Sequence, residues 1–456
     1  MRQQNAEDAL QTGCSRSDMK WWLHAETITA SQCKKAGSKG FYQKKGKTAM
    51  SLNATPSADR VHIGIFGKRN AGKSSIINAI TGQSLAIVSD VRGTTTDPVS
   101  KAMELLPLGP VVMIDTPGID DTGELGTLRV KKSYQVLNKT DIAVLVVDGE
   151  DGVGEEELRL IRRIQEKKIP MVIAVNKAEL MTDAQKAAVS EALTAYAPIF
   201  VSAMTGENIY ELKEQIAASK PQEEKKPIVG DLLSPSDFVV LVVPVDSAAP
   251  KGRLILPQQQ TIRDILDHDA TAIVVKENEL ANTLKNIGKT PRIVITDSQV
   301  FKQVDAVTPA EIPLTSFSIL FARYKGNLPE LVKGVRLLHE IKDGDKILIS
   351  EGCTHHRQCE DIGTVKLPRL VRQFTGADPV FEFSSGIEYP ENLSDYKLIL
   401  HCGGCVLNER EMKYRIQCAQ DAQIPITNYG ISIAYMTGIL ERALKPFPSI
   451  AAKLEG

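Results

Sequence analysis

The chain has 456 residues, enough for two or three domains that each bury a core. Lys+Arg 55 against Asp+Glu 56 leaves no global charge that would demand nucleic acid or an anionic membrane. No apolar run approaches the roughly 18–20 residues that span a bilayer, and the basic N-terminus lacks the apolar stretch of a secretory signal. A cytoplasmic protein without membrane or nucleic-acid partners is expected. Seven cysteines, five of them beyond residue 350, argue against a disulfide framework and for metal or redox chemistry.

Residues 1–49 are polar and Lys-rich, with Trp21-Trp22 as the bulky apolar pair. They read as a disordered tail or an upstream extension, with Met50 as an alternative start. Over 50–218 short β-rich runs alternate with helical stretches: strands are predicted at 61–66, 111–114, 142–147, 171–175 and 199–201, and helices at 73–80, 158–167 and 184–196. This is the pattern of a doubly wound parallel sheet, an α/β fold. A charged, Pro-flanked linker occupies 219–230. A second α/β unit follows at 231–335, with strands at 238–245, 271–275 and 292–296, helices at 258–266 and 279–287, and a role in scaffolding or self-association. The third unit, 336–456, places strands at 346–350 and 397–400, each running straight into a cysteine, and helices at 410–421 and 433–444. Sites in open parallel sheets form beyond the carboxyl ends of strands.

Gly67-Lys68-Arg69-Asn70-Ala71-Gly72-Lys73-Ser74 is a phosphate loop placed between a strand and a helix, the context that gives the motif its meaning. Backbone N–H groups from Gly67 through Ala71, Gly72 and Ser75 wrap phosphates at a helix N-terminus. Lys73 is expected to reach the β- and γ-phosphates, and Ser74 to hold Mg²⁺. Asp115-Thr116-Pro117-Gly118 follows the next strand. Asp115 is assigned to Mg²⁺ through water, and the Gly118 N–H to the γ-phosphate. Thr95, in Gly93-Thr94-Thr95-Thr96-Asp97, is the expected second hydroxyl on Mg²⁺. Asn176-Lys177-Ala178-Glu179 offers a carboxylate to guanine N1–H and N2–H₂, and Ser202-Ala203 a backbone N–H to guanine O6. Five motifs in order make this a GTP/GDP site.

The set resembles translation-factor-like GTPases of the tRNA-modification and ribosome-assembly branch. Thr96 stands where that branch carries Arg, and Glu179 replaces its Asp. Ile119 follows the Asp-Thr-Pro-Gly motif, so no Gln orients the attacking water there. Asn70 matches the Asn that potassium-activated relatives place on K⁺ beside the phosphates. The resemblance therefore implies that K⁺ supplies positive charge in the transition state.

Cys353-Thr354-His355 and His401-Cys402-Gly403-Gly404-Cys405 form a second constellation. C-x-x-C lets two soft thiolates face one centre, and spacing alone suits structural zinc as well as an iron–sulfur cluster. Cys418 reads as a core residue, and His24, His62, His268 and His339 as surface or satisfied core groups. The three-part order of GTPase, α/β middle unit and Cys-x-His…His-Cys-x-x-Cys resembles the [FeFe]-hydrogenase maturation GTPases, the HydF family, over residues 50–456. The likeness implies a [4Fe–4S] cluster on Cys353, Cys402 and Cys405, with His355, His401 or an exchangeable ligand on the fourth iron. It implies a scaffold that carries a transient di-iron subcluster precursor, made by the radical-SAM maturases HydE and HydG, to apo [FeFe]-hydrogenase. A homodimer through the middle domain is implied too. The competing reading is an RNA- or ribosome-associated GTPase with a structural zinc site, against which stands the lack of any extended Lys/Arg run in 231–456.

Overall fold

The computed structural model of the chain describes residues 56–82, 98–120, 123–221, 226–244, 254–352, 361–386, 389–390 and 392–455. The readings made for residues 1–49, for Thr95 and for Cys353 and His355 lie outside these residues.

The first unit runs β1 (Val61–Phe66), α1 (Lys73–Thr81), β2 (Val99–Leu105), β3 (Gly109–Asp115), α2 (Gly123–Leu137), β4 (Ile142–Asp148), α3 (Glu155–Glu166), β5 (Met171–Asn176), α4 (Asp183–Ala192), β6 (Ile199–Phe200) and α5 (Ile209–Ala218). Its strands lie in the order β2-β3-β1-β4-β5-β6. All pairings are parallel except β2 with β3. β4 is buried along its whole length, as a central parallel strand covered on both faces must be. Alternate residues feed two cores: Ile63, Val144 and Val146 pack under α1 residues Ile76 and Ile80, while Leu145 and Val147 meet Leu160 and Ile164 of α3.

The second unit contains β7 (Phe238–Val242), α6 (Leu256–Asp267), β8 (Thr271–Val275), α7 (Leu280–Asn286), β9 (Ile293–Thr296), α8 (Phe301–Val307), β10 (Leu314–Ser316), α9 (Phe317–Lys325) and α10 (Leu328–Val335). Its parallel sheet has the order β10-β9-β7-β8. The third contains β11 (Lys346–Glu351), a π-helical turn at Ile362–Lys366 leading into α11 (Leu367–Thr375), β12 (Val380–Ser385), β13 (Leu398–His401), α12 (Glu409–Asp421), β14 (Ile426–Asn428), α13 (Tyr429–Met436), α14 (Leu440–Leu444) and α15 (Pro448–Glu455). Its sheet, order β12-β11-β13-β14, is also parallel.

These two sheets share one continuous apolar core. Val240, Ile295 and Leu320 of the second unit belong to the same cluster as Leu348, Leu400 and Leu440 of the third. At Gly334 an added Cβ would fall 2.1 Å from the Ile426 carbonyl oxygen, so α10 packs directly on the backbone of β14. The helix expected over 433–444 is two helices, because Gly438 takes φ 77° and ends the first. Among the described residues no helix is long and apolar enough to cross a membrane.

Candidate functional site

The phosphate loop joins β1 to α1. Gly67 takes φ 147°, and a Cβ there would lie 2.2 Å from the Val146 carbonyl oxygen. Gly72 takes φ 88°, and its Cβ would strike the Asn176 amide at 2.1 Å. Both positions therefore require glycine. Asn70, exposed at φ 64°, uses the left-handed region that Asn tolerates. Lys73 is buried, and its ammonium donates to the carbonyls of Gly67 at 3.0 Å and Lys68 at 2.6 Å. Lys68 itself pairs with Glu157 at the start of α3, at 2.9 Å.

The Mg²⁺ donors predicted on separate motifs meet here. Ser74 Oγ donates to Asp115 Oδ2 at 2.7 Å. Burial raises the Asp115 carboxyl above its ordinary value, against the Ser74 hydrogen bond and the Lys73 charge. Ser74 and Asp115 would hold a divalent cation, whose charge would favour the ionised carboxylate against burial. The Asp-Thr-Pro-Gly segment touches the phosphate loop: Ile119 N donates to Gly67 O at 3.4 Å, and Asp120 accepts from Arg69 N at 2.7 Å. Asp120 was not singled out from the sequence.

Asn176 holds the guanine side together. Its Nδ2 donates to Ala71 O at 3.0 Å and its Oδ1 accepts from Ala203 N at 3.0 Å, joining three motifs. Lys177, at φ 63°, pairs with Asp148 at 2.6 Å, leaving Glu179 exposed at the rim. Ser202 is buried behind Ala203, and its Oγ accepts from Thr205 N.

The second constellation sits at the carboxyl ends of β11 and β13. Cys402 Sγ accepts from the N–H groups of Gly352 at 3.1 Å and Gly404 at 3.4 Å. Burial nonetheless pushes its thiol up to about 11. Burial raises Cys405 as well, opposed by the Lys325 charge and by the backbone amides of Val406 and Cys405. Both thiols are thus protonated at neutral pH until a soft metal displaces the proton. Gly403 leaves open space, since a Cβ there would meet nothing within 4 Å. Two adjacent soft sulfurs, N–H donors and room beside them suit an iron–sulfur cluster. Among the described residues no three His, Cys, Asp or Glu side chains form a metal-sized group.

His401 departs from its expected place as a ligand. Its Nδ1 lies 2.7 Å from the Cys402 carbonyl oxygen and its Nε2 3.2 Å from Arg415 Nη1. Arg415 can only donate, so Nε2 accepts and Nδ1 carries the proton. Burial and the Arg415 charge push the imidazole down to about 3, so it stays neutral. Neither nitrogen is free for iron in this arrangement; the ring is a strut that fixes the Cys402 carbonyl. Arg415, fully buried, is held in turn by Glu411 at 2.9 Å and the Gly386 carbonyl at 2.6 Å. Cys418 is half-buried: it packs against the shared apolar core and also lines a cleft.

Three family matches divide the chain. The 50S ribosome-binding GTPase family covers residues 62–177, the hydrogen maturase F dimerization domain 228–326 and the hydrogen maturase F tetramerization domain 329–446. The chain belongs to the hydrogen maturase F family. The chain is also similar to curated GTPases. GTPase Der of Prochlorococcus marinus is 32% identical over 192 residues, 38% of this chain and 41% of the relative. The tRNA modification GTPase MnmE of Acetivibrio thermocellus is 31% identical over 153 residues, 33% of each chain. The chain thus spans less than half the length of these relatives. A crystal structure of Aquifex aeolicus Era with GDP and aluminium fluoride aligns at TM-score 0.33 and 18% identity, covering 50% of this chain and 98% of that one.

In this hydrogen maturase F chain the nucleotide and cysteine units touch through Asn408, three residues beyond Cys405. Asn408 caps α12 by accepting from Glu411 N at 3.1 Å, and its Nδ2 donates to Lys139 O at 2.9 Å, just past the end of α2. Arg410 adds a bond to the Lys167 carbonyl at 3.3 Å. Ser133 of α2 donates to the Pro117 carbonyl of the Asp-Thr-Pro-Gly segment at 3.0 Å, so α2 touches the nucleotide motif near its middle and Asn408 just past its end. Asn408→Ala removes both the cap and the cross-unit donor and should cost about 1–2 kcal/mol. Asn408→Asp keeps the cap and should recover part of the loss, as read by thermal unfolding.

Proposed function

We propose that this GTPase is a scaffold carrying a [4Fe–4S] cluster on Cys353, Cys402 and Cys405, which assembles and delivers the di-iron subcluster precursor to apo [FeFe]-hydrogenase. GTP hydrolysis rests on the family match and on the phosphate loop described above. The observation that supports the cluster is the Gly352 N–H, 3.1 Å from Cys402 Sγ. Cys353 is the next residue in the sequence after this amide. With three thiolates the fourth iron lacks a strong protein ligand and is open to bridging by an incoming fragment; His355 is the protein side chain proposed nearest it in sequence. The cluster supplies that open iron and a redox-active anchor.

The maturases HydE and HydG are the proposed sources of the precursor, and the cytoplasm of an anaerobe the proposed setting. Self-association follows the names of the two matched domains. β8 supports it as the outer strand of its sheet, with Val274 44% exposed, because an open strand edge pairs readily with a second copy. Through Asn408, hydrolysis is proposed to govern partner engagement. Anaerobic purification tests the core of this reading: a brown chain with about four irons and an EPR signal on reduction supports it. A colourless chain with one zinc overturns it.

The exposed, left-handed Asn70 supports potassium as the missing cation at the phosphates. Turnover in KCl should exceed that in NaCl at equal ionic strength by tenfold or more, about 1.4 kcal/mol of barrier. Equal rates in the two salts would remove K⁺ from the mechanism.

A further inference from the structure

Lys325 ends α9 in the second unit, yet its side chain reaches the cysteine loop of the third. It is 3% exposed. Its ammonium donates to the carbonyls of Cys405 at 3.4 Å and Leu407 at 3.2 Å, and sits 5.7 Å from the Phe321 ring centroid. Among the described residues no carboxylate comes within the 4.0 Å of an ion pair. Asp59 and Glu409, whose charges reach Lys325, are engaged elsewhere: Asp59 accepts from Gln260, and Glu409 pairs with Lys413 at 2.7 Å. Arg415, the other deeply buried cation beside this loop, has its own carboxylate in Glu411.

A buried ammonium that meets neutral oxygens among the described residues keeps most of its desolvation cost, and such charges are rarely left without a counter-ion. The adjacent group that becomes anionic on metal loading is Cys405. We propose that Lys325 is the counter-charge of the cysteine-held cluster, a residue that raises the cluster's reduction potential from beside the Cys405–Leu407 loop. This rests on the reading that Cys402 and Cys405 hold a [4Fe–4S] cluster. Reduction adds one electron to a group already made negative by thiolates, so a fixed cation beside it stabilises the reduced form more than the oxidised one.

Full-length chain, reconstituted anaerobically with iron and sulfide, is compared with Lys325→Met, Lys325→Gln and Lys325→Arg. Dithionite supplies the electron, and EPR follows it. At the wild-type midpoint, Lys325→Met should show the reduced-to-oxidised ratio fallen at least tenfold, a shift of 59 mV for one electron. Lys325→Gln keeps a donor for the two carbonyls without the charge and should shift the same way. Lys325→Arg should stay near wild type. In the cluster-free chain Lys325→Met should melt at or above the wild-type temperature, since an apolar side chain replaces an uncompensated buried charge. A purely structural clamp gives the reverse, a lower cluster-free Tm with an unchanged midpoint, and either result overturns the proposal. A wild-type chain that takes up no iron brings down the cluster reading itself, and this proposal with it.

Discussion

Lys73→Ala is expected to abolish GTP turnover while the chain stays folded. The ammonium at this position is the one cation that the phosphate loop itself places inside the wrap, held by the Gly67 and Lys68 carbonyls. When nucleotide binds, those neutral acceptors exchange for the β- and γ-phosphate oxygens, whose charge grows in the transition state. Removing a group aimed at developing charge costs about 10²–10³-fold in rate. The truncation also frees two loop carbonyls, a loss of about 1–2 kcal/mol, which a core of two apolar layers withstands. Phosphate release should fall to background, with the circular dichroism spectrum retained and iron content unchanged. Turnover within threefold of wild type would show that the charge comes from elsewhere.

The nucleotide site was legible because its chemistry is local. Eight consecutive residues dictate a loop, and glycine at 67 and 72 is forced by contacts with Val146 and Asn176 that any phosphate loop on this sheet must make. The buried parallel strands were legible for a similar reason: runs such as Ile142–Asp148 are apolar throughout. What escaped was marginal in pattern or remote in sequence. β2 is an edge strand with mostly exposed side chains, and β10 and β14 span three residues each, too short for any period to register. α2 mixes Lys, Arg and Gly with its apolar positions, so no apolar stripe announced it. The boundary drawn between the second and third units carries no break in packing, because their residues interleave in one core.

At the cysteine site the ligand types were readable, but their support was not. Lys325 and Cys405 are 80 residues apart, and nothing in either neighbourhood points to the other. His401 was a reasonable ligand on chemistry alone. Arg415, fourteen residues on and one turn beyond Glu411, claims its second nitrogen only once α12 has packed across β13. The spacing Glu411–Arg415 is the signal that was available, since an i,i+4 pair buried beside a metal motif has a structural task.

Cys402→Ser should leave the chain without a cluster. The sulfur is enclosed by the Gly352 and Gly404 amides, a setting made for a thiolate that accepts hydrogen bonds while it ligates. Serine fits the space, but its hydroxyl is a hard donor that stays protonated where even the thiol is pushed up to about 11. The replacement therefore removes ligation and keeps the fold, since the hydroxyl can still accept from one amide. Iron and sulfide per chain should drop at least tenfold, about 1.4 kcal/mol or more in occupancy terms, after anaerobic reconstitution. Cys405→Ser and Cys353→Ser should do the same, while Cys418→Ser, in the cleft beside Tyr414 and Lys167, should load normally. GTP hydrolysis should continue in all four, because the phosphate loop draws its contacts from a different sheet. His401→Ala should act through stability, exposing Arg415 to the loss of a buried acceptor, with the cluster still able to form. Full iron occupancy in Cys402→Ser would remove the cysteine pair from the metal centre, whatever the colour of the wild-type protein.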